Sequence, residues 1–254
     1  MCRMAGYVGP ALRVGEIVSA PAHSLLVQSY RPREMQSGVV NADGYGAALW
    51  LDDGNPEPAL YRTAAPIWAD PNQRWMNERL VVRSLIGAVR SATPGIGFEL
   101  ANVQPFARGR VGFAHNGFIT DFRRGAQRAL REGLGREAYE GIEGSSDSEH
   151  LFALVLDAGA LLPDAVRAAL LRLEAICDAL SRTAVATLLL GDGEQLVGVR
   201  WARGFKPATL YWAPFRDGVC LASEPLDGER WREIPEGHLA IARAGHDLRL
   251  EALR

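Results

Sequence analysis

Short apolar runs closed by turn residues dominate the first third of the chain. "CRMAGYVG" reads as a buried strand, and "YGAALWLDDG" as another, ended by an Asp-Gly turn. "APAHSLLVQSY" brings Leu25, Leu26 and Tyr30 to one face at helical spacing, which predicts a short helix. "NQRWMNERLVV" predicts a second helix, and "SLIGAVRSATPG" a strand that stops at Pro94-Gly95. In the middle, "RVGFAHNGFITDFRRGAQRALREGLG" reads as a strand, a tight turn and a charged amphipathic helix capped by Thr120 or Asp121. "SSDSEHLFALVLDAG" opens a clearer helix, because Ser146 and Glu149 have capping-box spacing ahead of an apolar run. "LPDAVRAALLRLEAICDALSR" is the longest predicted helix, with Pro163 in its first turn and Cys177 on its apolar side. From Thr183 onward the pattern returns to strands. Hairpins are expected around Asp192-Gly193, around Asp217-Gly218 and within "HLAIARAGHDLRLEAL". Strands, then helices, then strands predict an α+β layered fold with antiparallel sheets, not a βαβ repeat. No repeat, linker or low-complexity tract interrupts it, so one domain over residues 1–254 is expected.

Composition narrows the function more than the fold. With 48% hydrophobic residues the chain has material for a large core, and a net charge of −2 points to no nucleic-acid partner. Among the 28 basic residues the one lysine is Lys206, which excludes a phosphate loop that needs lysine after its glycines. Cys2, Cys177 and Cys220 lie far apart and odd in number, so no disulfide framework is expected and a reducing cytoplasm fits best. The longest apolar candidate, "LFALVLDAGALL", is broken by Asp157 and is too short to span a bilayer. No basic n-region opens the chain, so no signal peptide is expected. The five histidines lack ligand spacing, and no metal or cofactor is expected. Self-association is left open.

Four features carry candidate chemistry. Cys2 directly follows the start Met. If Met1 is removed, a thiol and an α-amine share one residue, a nucleophile beside its own base. Taken alone, such a cysteine is more often a small buried hydrophobe. "AHNGF" at 114–118 is either a type I′ hairpin turn or a strand–turn–helix corner whose amide donors could stabilise an oxyanion, and the fragment does not choose. Arg90, in an apolar segment, is either a strand-end side chain reaching solvent or a guanidinium set to grip a carboxylate. Asp147 either favours a helix dipole or pairs with an ammonium. "NADGYGAALW" is an incomplete glycine fingerprint with no βαβ unit around it, so it does not bind a dinucleotide. "RRGAQRALR" reads as a solvated face, and Tyr45, Trp50, Trp68 and Trp75 as core or, failing that, as partners for a cationic ligand.

In order, Cys2, "RSAT" at 90–93, "NVQPF" at 102–106, "HNG" at 115–117, "SDSE" at 146–149 and "SEP" at 223–225 resemble the class II glutamine amidotransferases, which are N-terminal-nucleophile hydrolases. "LLVQSYRPR" at 25–33, "NADGYGAALW" at 41–50 and "AVRSAT" at 88–93 are similar to the γ-glutamyl amidohydrolases of ergothioneine biosynthesis. The resemblance implies an αββα sandwich of two antiparallel sheets between helix layers. It implies a small-molecule γ-glutamyl substrate, γ-glutamyl-hercynylcysteine S-oxide, hydrolysed to glutamate and hercynylcysteine S-oxide through a thioester. By the same resemblance Cys2 is the nucleophile, with its α-amine as proton acceptor. Asn116 and Gly117 form the oxyanion hole, Arg90 binds the α-carboxylate, Asp147 binds the α-ammonium and Thr93 contacts substrate. Ser91 and Ala88 depart from the aromatic residue and histidine common in synthase members. Two alternatives stand beside this expectation: a glutaminase subunit feeding ammonia to a separate synthase, and a scaffold that keeps the fold without catalysis.

Overall fold

The computed structural model describes residues 1–92, 97, 99–159, 161–228 and 230–253. The chain runs β1 (Arg3–Arg13), α1 (Gly15–Val18), α2 (Leu25–Tyr30), β2 (Tyr45–Leu51), β3 (Ala59–Thr63), α3 (Gln73–Arg79) and β4 (Val81–Val89). It continues through β5 (Phe106–Arg108), β6 (Val111–Ile119), α4 (Gln127–Glu132), α5 (Arg136–Glu140), α6 (Asp147–Asp157) and α7 (Leu162–Leu180). It ends with β7 (Ala184–Gly191), β8 (Gln195–Arg203), β9 (Tyr211–Phe215), β10 (Gly218–Ala222), β11 (Arg232–Glu233), β12 (His238–Arg243) and β13 (Arg249–Ala252). Among the described residues these strands form two antiparallel sheets, ordered β11-β9-β10-β1-β4-β2-β3 and β13-β12-β8-β7-β6-β5. No described helix is long and apolar enough to cross a membrane.

Alternation along the strands builds four layers from these sheets. On β1, Met4 and Val8 join Ala114, Leu189 and Leu196 in a core between the sheets. Ala5 and Tyr7, one residue out of phase, pack outward against α1 and α2 with Ile17 and Leu25. On the second sheet Phe113 and Ile119 face α6 and α7 through Phe152, Val166 and Leu173. Both sheets are therefore buried on both faces. The near-continuous apolar runs of β7 and β4 follow from this, and the expected αββα sandwich is realised.

Several local expectations are corrected. β6 does not turn at Asn116-Gly117. It pairs with β7 without interruption from Gly112↔Gly191 to Ile119↔Ala184, and this long-range pairing overrides the turn tendency of Asn-Gly. Neither Thr120 nor Asp121 caps the next helix: Asp121 is left-handed with no side-chain cap, and Thr120 Oγ1 donates to Thr183 O and accepts from Thr183 N. Ser146 does cap α6, accepting from Glu149 N, but the Glu149 carboxylate accepts from Glu143 N and Gly144 N instead of closing the box. β4 starts earlier than predicted, at Val81, and stops at Val89; Pro94 and Gly95 lie outside the described residues. Tyr45 and Trp50 are core, whereas Trp68 and Trp75 are about half exposed. The buried face of α3 is taken by Gln73 and Met76, and Trp75, one residue before Met76, points away from it. Tyr30 likewise leaves the core and packs edge-on against Trp68.

Candidate active site

β1, β4 and β6 end at a common cleft of about 350 Å³. Its walls include Cys2, Arg90, Gly117, Phe118 and Asp147, with Ser37 and Gly38 on one rim. Cys2 shares the inward phase of Met4, and Asn116 the inward phase of Ala114. Cys2 is a free, half-buried thiol, and its Sγ lies 3.9 Å from Ser91 O. Met1 precedes it, and its ammonium donates to Ser37 O at 3.0 Å. Burial, ahead of the nearby Arg3 charge, pulls the Met1 amine below the usual 8.0, while Cys2 and Asp43 pull it back.

Arg90 sits immediately past the end of β4 and is buried, not solvated. Its Nη2 donates to Gly97 O at 2.8 Å and its Nη1 to Asp43 O at 3.5 Å. Asp43 in turn accepts from Ala92 N, so the segment after β4 is fastened from the side of "NADG". Asp147 occupies the first turn of α6, and both its oxygens accept backbone N–H groups, Oδ2 from Ile119 at 2.9 Å and Oδ1 from Ser148 at 2.8 Å. Its carboxylate thereby joins α6 to β6 while facing the cleft.

Asn116 is fully buried, and neither its Nδ2 nor its Oδ1 hydrogen-bonds another described residue. An orphaned buried amide is costly in a folded interior. Beside it, Gly117 has no room for a side chain, because a Cβ would collide with Val185 O and the His115 ring. That ring fills the outward face: Nε2 donates to Val185 O and Nδ1 faces Ser148 Oγ, each at 2.9 Å. Burial is the main cause that lowers the His115 pKa, with Asp147 opposing it.

Two further polar side chains, Gln104 and Asn102, line the cleft. Gln104 accepts from His115 N and donates to His115 O, so its amide extends the pairing with β6 ahead of the first residue of β5. Asn102 accepts from Ser145 N and donates to Gly97 O, linking the segment after β4 to the turn before α6. Both belong to "NVQPF", and a polar pair within an otherwise apolar stretch was the available signal. Arg90, Gly117 and Asp147 thus meet Cys2 in one cleft, with Asn116 buried in the adjoining inward position. Thr93 lies outside the described residues.

The γ-glutamyl-hercynylcysteine sulfoxide hydrolase of Mycolicibacterium smegmatis is 32% identical to this chain over 247 residues, 97% of each. The enzyme of that name from Mycobacterium tuberculosis is 32% identical over 94% of this chain and 91% of its own. Among solved structures, a glutamine aminotransferase class-II domain protein from Silicibacter pomeroyi aligns over the whole of both chains with a TM-score of 0.74 at 24% identity. The glutamine phosphoribosylpyrophosphate amidotransferase of B. subtilis covers all of this chain with 49% of its own, at a TM-score of 0.66 and 18% identity. The family profile "Glutamine amidotransferases class-II" matches residues 19–216. The chain belongs to the class II glutamine amidotransferase family.

Proposed function

We propose that the protein hydrolyses a γ-glutamyl amide, with γ-glutamyl-hercynylcysteine S-oxide as substrate and glutamate and hercynylcysteine S-oxide as products. The observation that carries the reading is the convergence of a half-buried Cys2 thiol, a buried guanidinium and a buried carboxylate on one cleft. Arg90 would grip the α-carboxylate and Asp147 the α-ammonium, which fixes the γ-carbonyl against Cys2. Thr93 would add a further substrate contact. The names of the 32% identical relatives support the leaving group.

After removal of Met1, the Cys2 α-amine takes the thiol proton and Sγ attacks the γ-carbonyl carbon. The resulting oxyanion is received by the Asn116 Nδ2 donor and the Gly117 N–H. Collapse expels the leaving amine, which takes the proton held by the α-amine. Water then adds to the γ-glutamyl thioester with the amine as base, releasing glutamate and restoring the thiol. The whole chain would act as one domain in the cytoplasm.

Intact mass spectrometry tests this. Loss of Met1 and a transient glutamyl adduct on Cys2 after a γ-glutamyl amide is added and the reaction quenched are expected. A retained Met1 with no adduct on any γ-glutamyl amide would sink the proposal. Turnover of free glutamine that rises only when a synthase is added would move the protein to ammonia supply.

A further inference from the structure

The "SEP" segment at 223–225 has no task in the reaction above, yet it supplies one of the most heavily used carboxylates in the structure. Glu224 is fully buried. Its Oε2 lies 2.6 Å from His23 Nε2 and accepts from Arg33 N at 2.9 Å, while its Oε1 accepts from Glu34 N at 3.0 Å. Arg3, adjacent to Cys2, is also buried, and its Nη1 stands 3.6 Å from Glu224 Oε1. One carboxylate therefore ties the residue behind the nucleophile to the start of the loop after α2.

That loop leads to the cleft. Beyond Glu34, whose own carboxylate accepts from Tyr211 Oη at 3.0 Å, Gln36 Nε2 donates to Pro207 O at 3.1 Å. Ser37 and Gly38 then form the rim, and Ser37 O accepts from the Met1 ammonium. The segment from Gln36 to Gly38 is solvent-exposed, so polar tethers rather than core packing hold it there. Met1 is one amino-acid residue joined to the Cys2 nitrogen. In the reaction proposed above, that same nitrogen hands a proton to the leaving amine, so the leaving group lies on this side of the thiol.

We propose that the arm Arg33–Gly38 is the wall that receives the leaving group, an amino acid or a substituted amino acid, and that Glu224 is the positioning residue that holds the arm. The inference rests on the hydrolase reading for the identity of the leaving side. It predicts that the arm matters for an amino-acid leaving group and not for ammonia, which is too small to reach it.

The test compares γ-glutamyl-S-methylcysteine S-oxide with L-glutamine in the full-length protein and in Glu224→Gln, with Gln36→Ala as a surface variant that loosens the arm without disturbing a buried charge. The ratio of kcat/KM values, dipeptide over glutamine, is expected to fall about tenfold in Glu224→Gln, the scale of one lost charge-assisted contact, and in the same direction in Gln36→Ala. Hydrogen exchange of the 33–38 segment is expected to accelerate in Glu224→Gln while β1 stays protected. Equal loss on both substrates, or unchanged exchange in the arm, overturns the proposal; if Glu224→Gln does not fold, the Gln36→Ala ratio decides it. Turnover of neither probe nor of γ-glutamyl-hercynylcysteine S-oxide by the unaltered protein overturns the hydrolase reading and this inference with it, and turnover of that conjugate with neither probe accepted overturns this inference alone; both outcomes are distinct from an unchanged ratio in an active enzyme.

Discussion

Asp147 Oδ2 accepts a hydrogen bond from Ile119 N at 2.9 Å, so the first turn of α6 is bonded to the end of β6 by a side chain that also faces the cleft. Asp147→Asn presents an amide N–H₂ to one of two backbone donors, Ile119 N–H or Ser148 N–H, and removes the charge proposed to hold an ammonium. KM for a γ-glutamyl amide is expected to rise more than kcat falls, with a loss of about 1–3 kcal/mol in stability. Steady-state kinetics beside urea titration checks both; an unchanged KM would remove Asp147 from the substrate site.

Asn116 separates stability from activity in the opposite sense. Its buried amide has no partner, so Asn116→Leu replaces an orphaned polar group by an apolar one of similar size. Unfolding free energy is expected to stay level or rise, while kcat falls by about 10²–10³ if the amide serves an oxyanion. A variant with full kcat would assign the oxyanion elsewhere.

Gly117→Ala should fail for steric reasons. The added methyl meets Val185 O and the His115 ring, both fixed by β7 and by the hydrogen bond between them. Destabilisation of about 1–3 kcal/mol is expected, against little change for a surface control such as Glu57→Gln. Thermal melts of the variants read this directly.

Histidine burial sets an acid limit. Arg131 Nε donates to His150 Nε2 at 2.8 Å, and because an arginine only donates, that nitrogen carries no proton and the ring is neutral. Burial, the main cause, lowers the His150 pKa to about 4 against the direction of its Ser146 O contact, from an ordinary 6.5. The unfolded chain therefore binds more protons than the folded one between these values. Stability from this group is full above about 6.5 and is lost as the pH falls toward about 4. Denaturant midpoints between pH 7 and 4 should fall less steeply in His150→Gln than in the unaltered protein; equal slopes would count against a neutral, buried His150.

The pH dependence of turnover runs in the same direction. The base must be neutral, and burial already lowers the terminal amine at Met1 below 8.0. In the processed protein kcat/KM should rise with pH through an apparent pKa below that value. A limb centred well above it would point to a different base.

Strand and helix periods made most of the fold legible, because β1, β2, α6, α7 and the three late hairpins are each dictated by local pattern and turn residues. What misled were places where distant pairing overrules local tendency. Asn116-Gly117 looks like a turn until β7 pairs with it, and Trp75 looks like core until α3 commits its buried face to Gln73 and Met76. That Cys2, Arg90, Gly117 and Asp147 come together in one cleft was legible only through the order of the family motifs, since each residue taken alone left two readings open. Gln104 and Asn102 were not, because their work is to bond backbone groups that only the folded chain brings near.

Arg90 and Asp147 give the cleft one buried cation and one buried anion, and the fields of such a pair largely cancel a few ångströms outside it. The chain as a whole carries a formal charge of only −2. If the proposed α-carboxylate and α-ammonium contacts hold, a zwitterionic head group would be drawn in by diffusion with little long-range steering and oriented only once it enters. Encounter rates should be nearly flat with ionic strength, and the same neutrality gives singly charged anions and cations of the cell little reason to accumulate at the mouth.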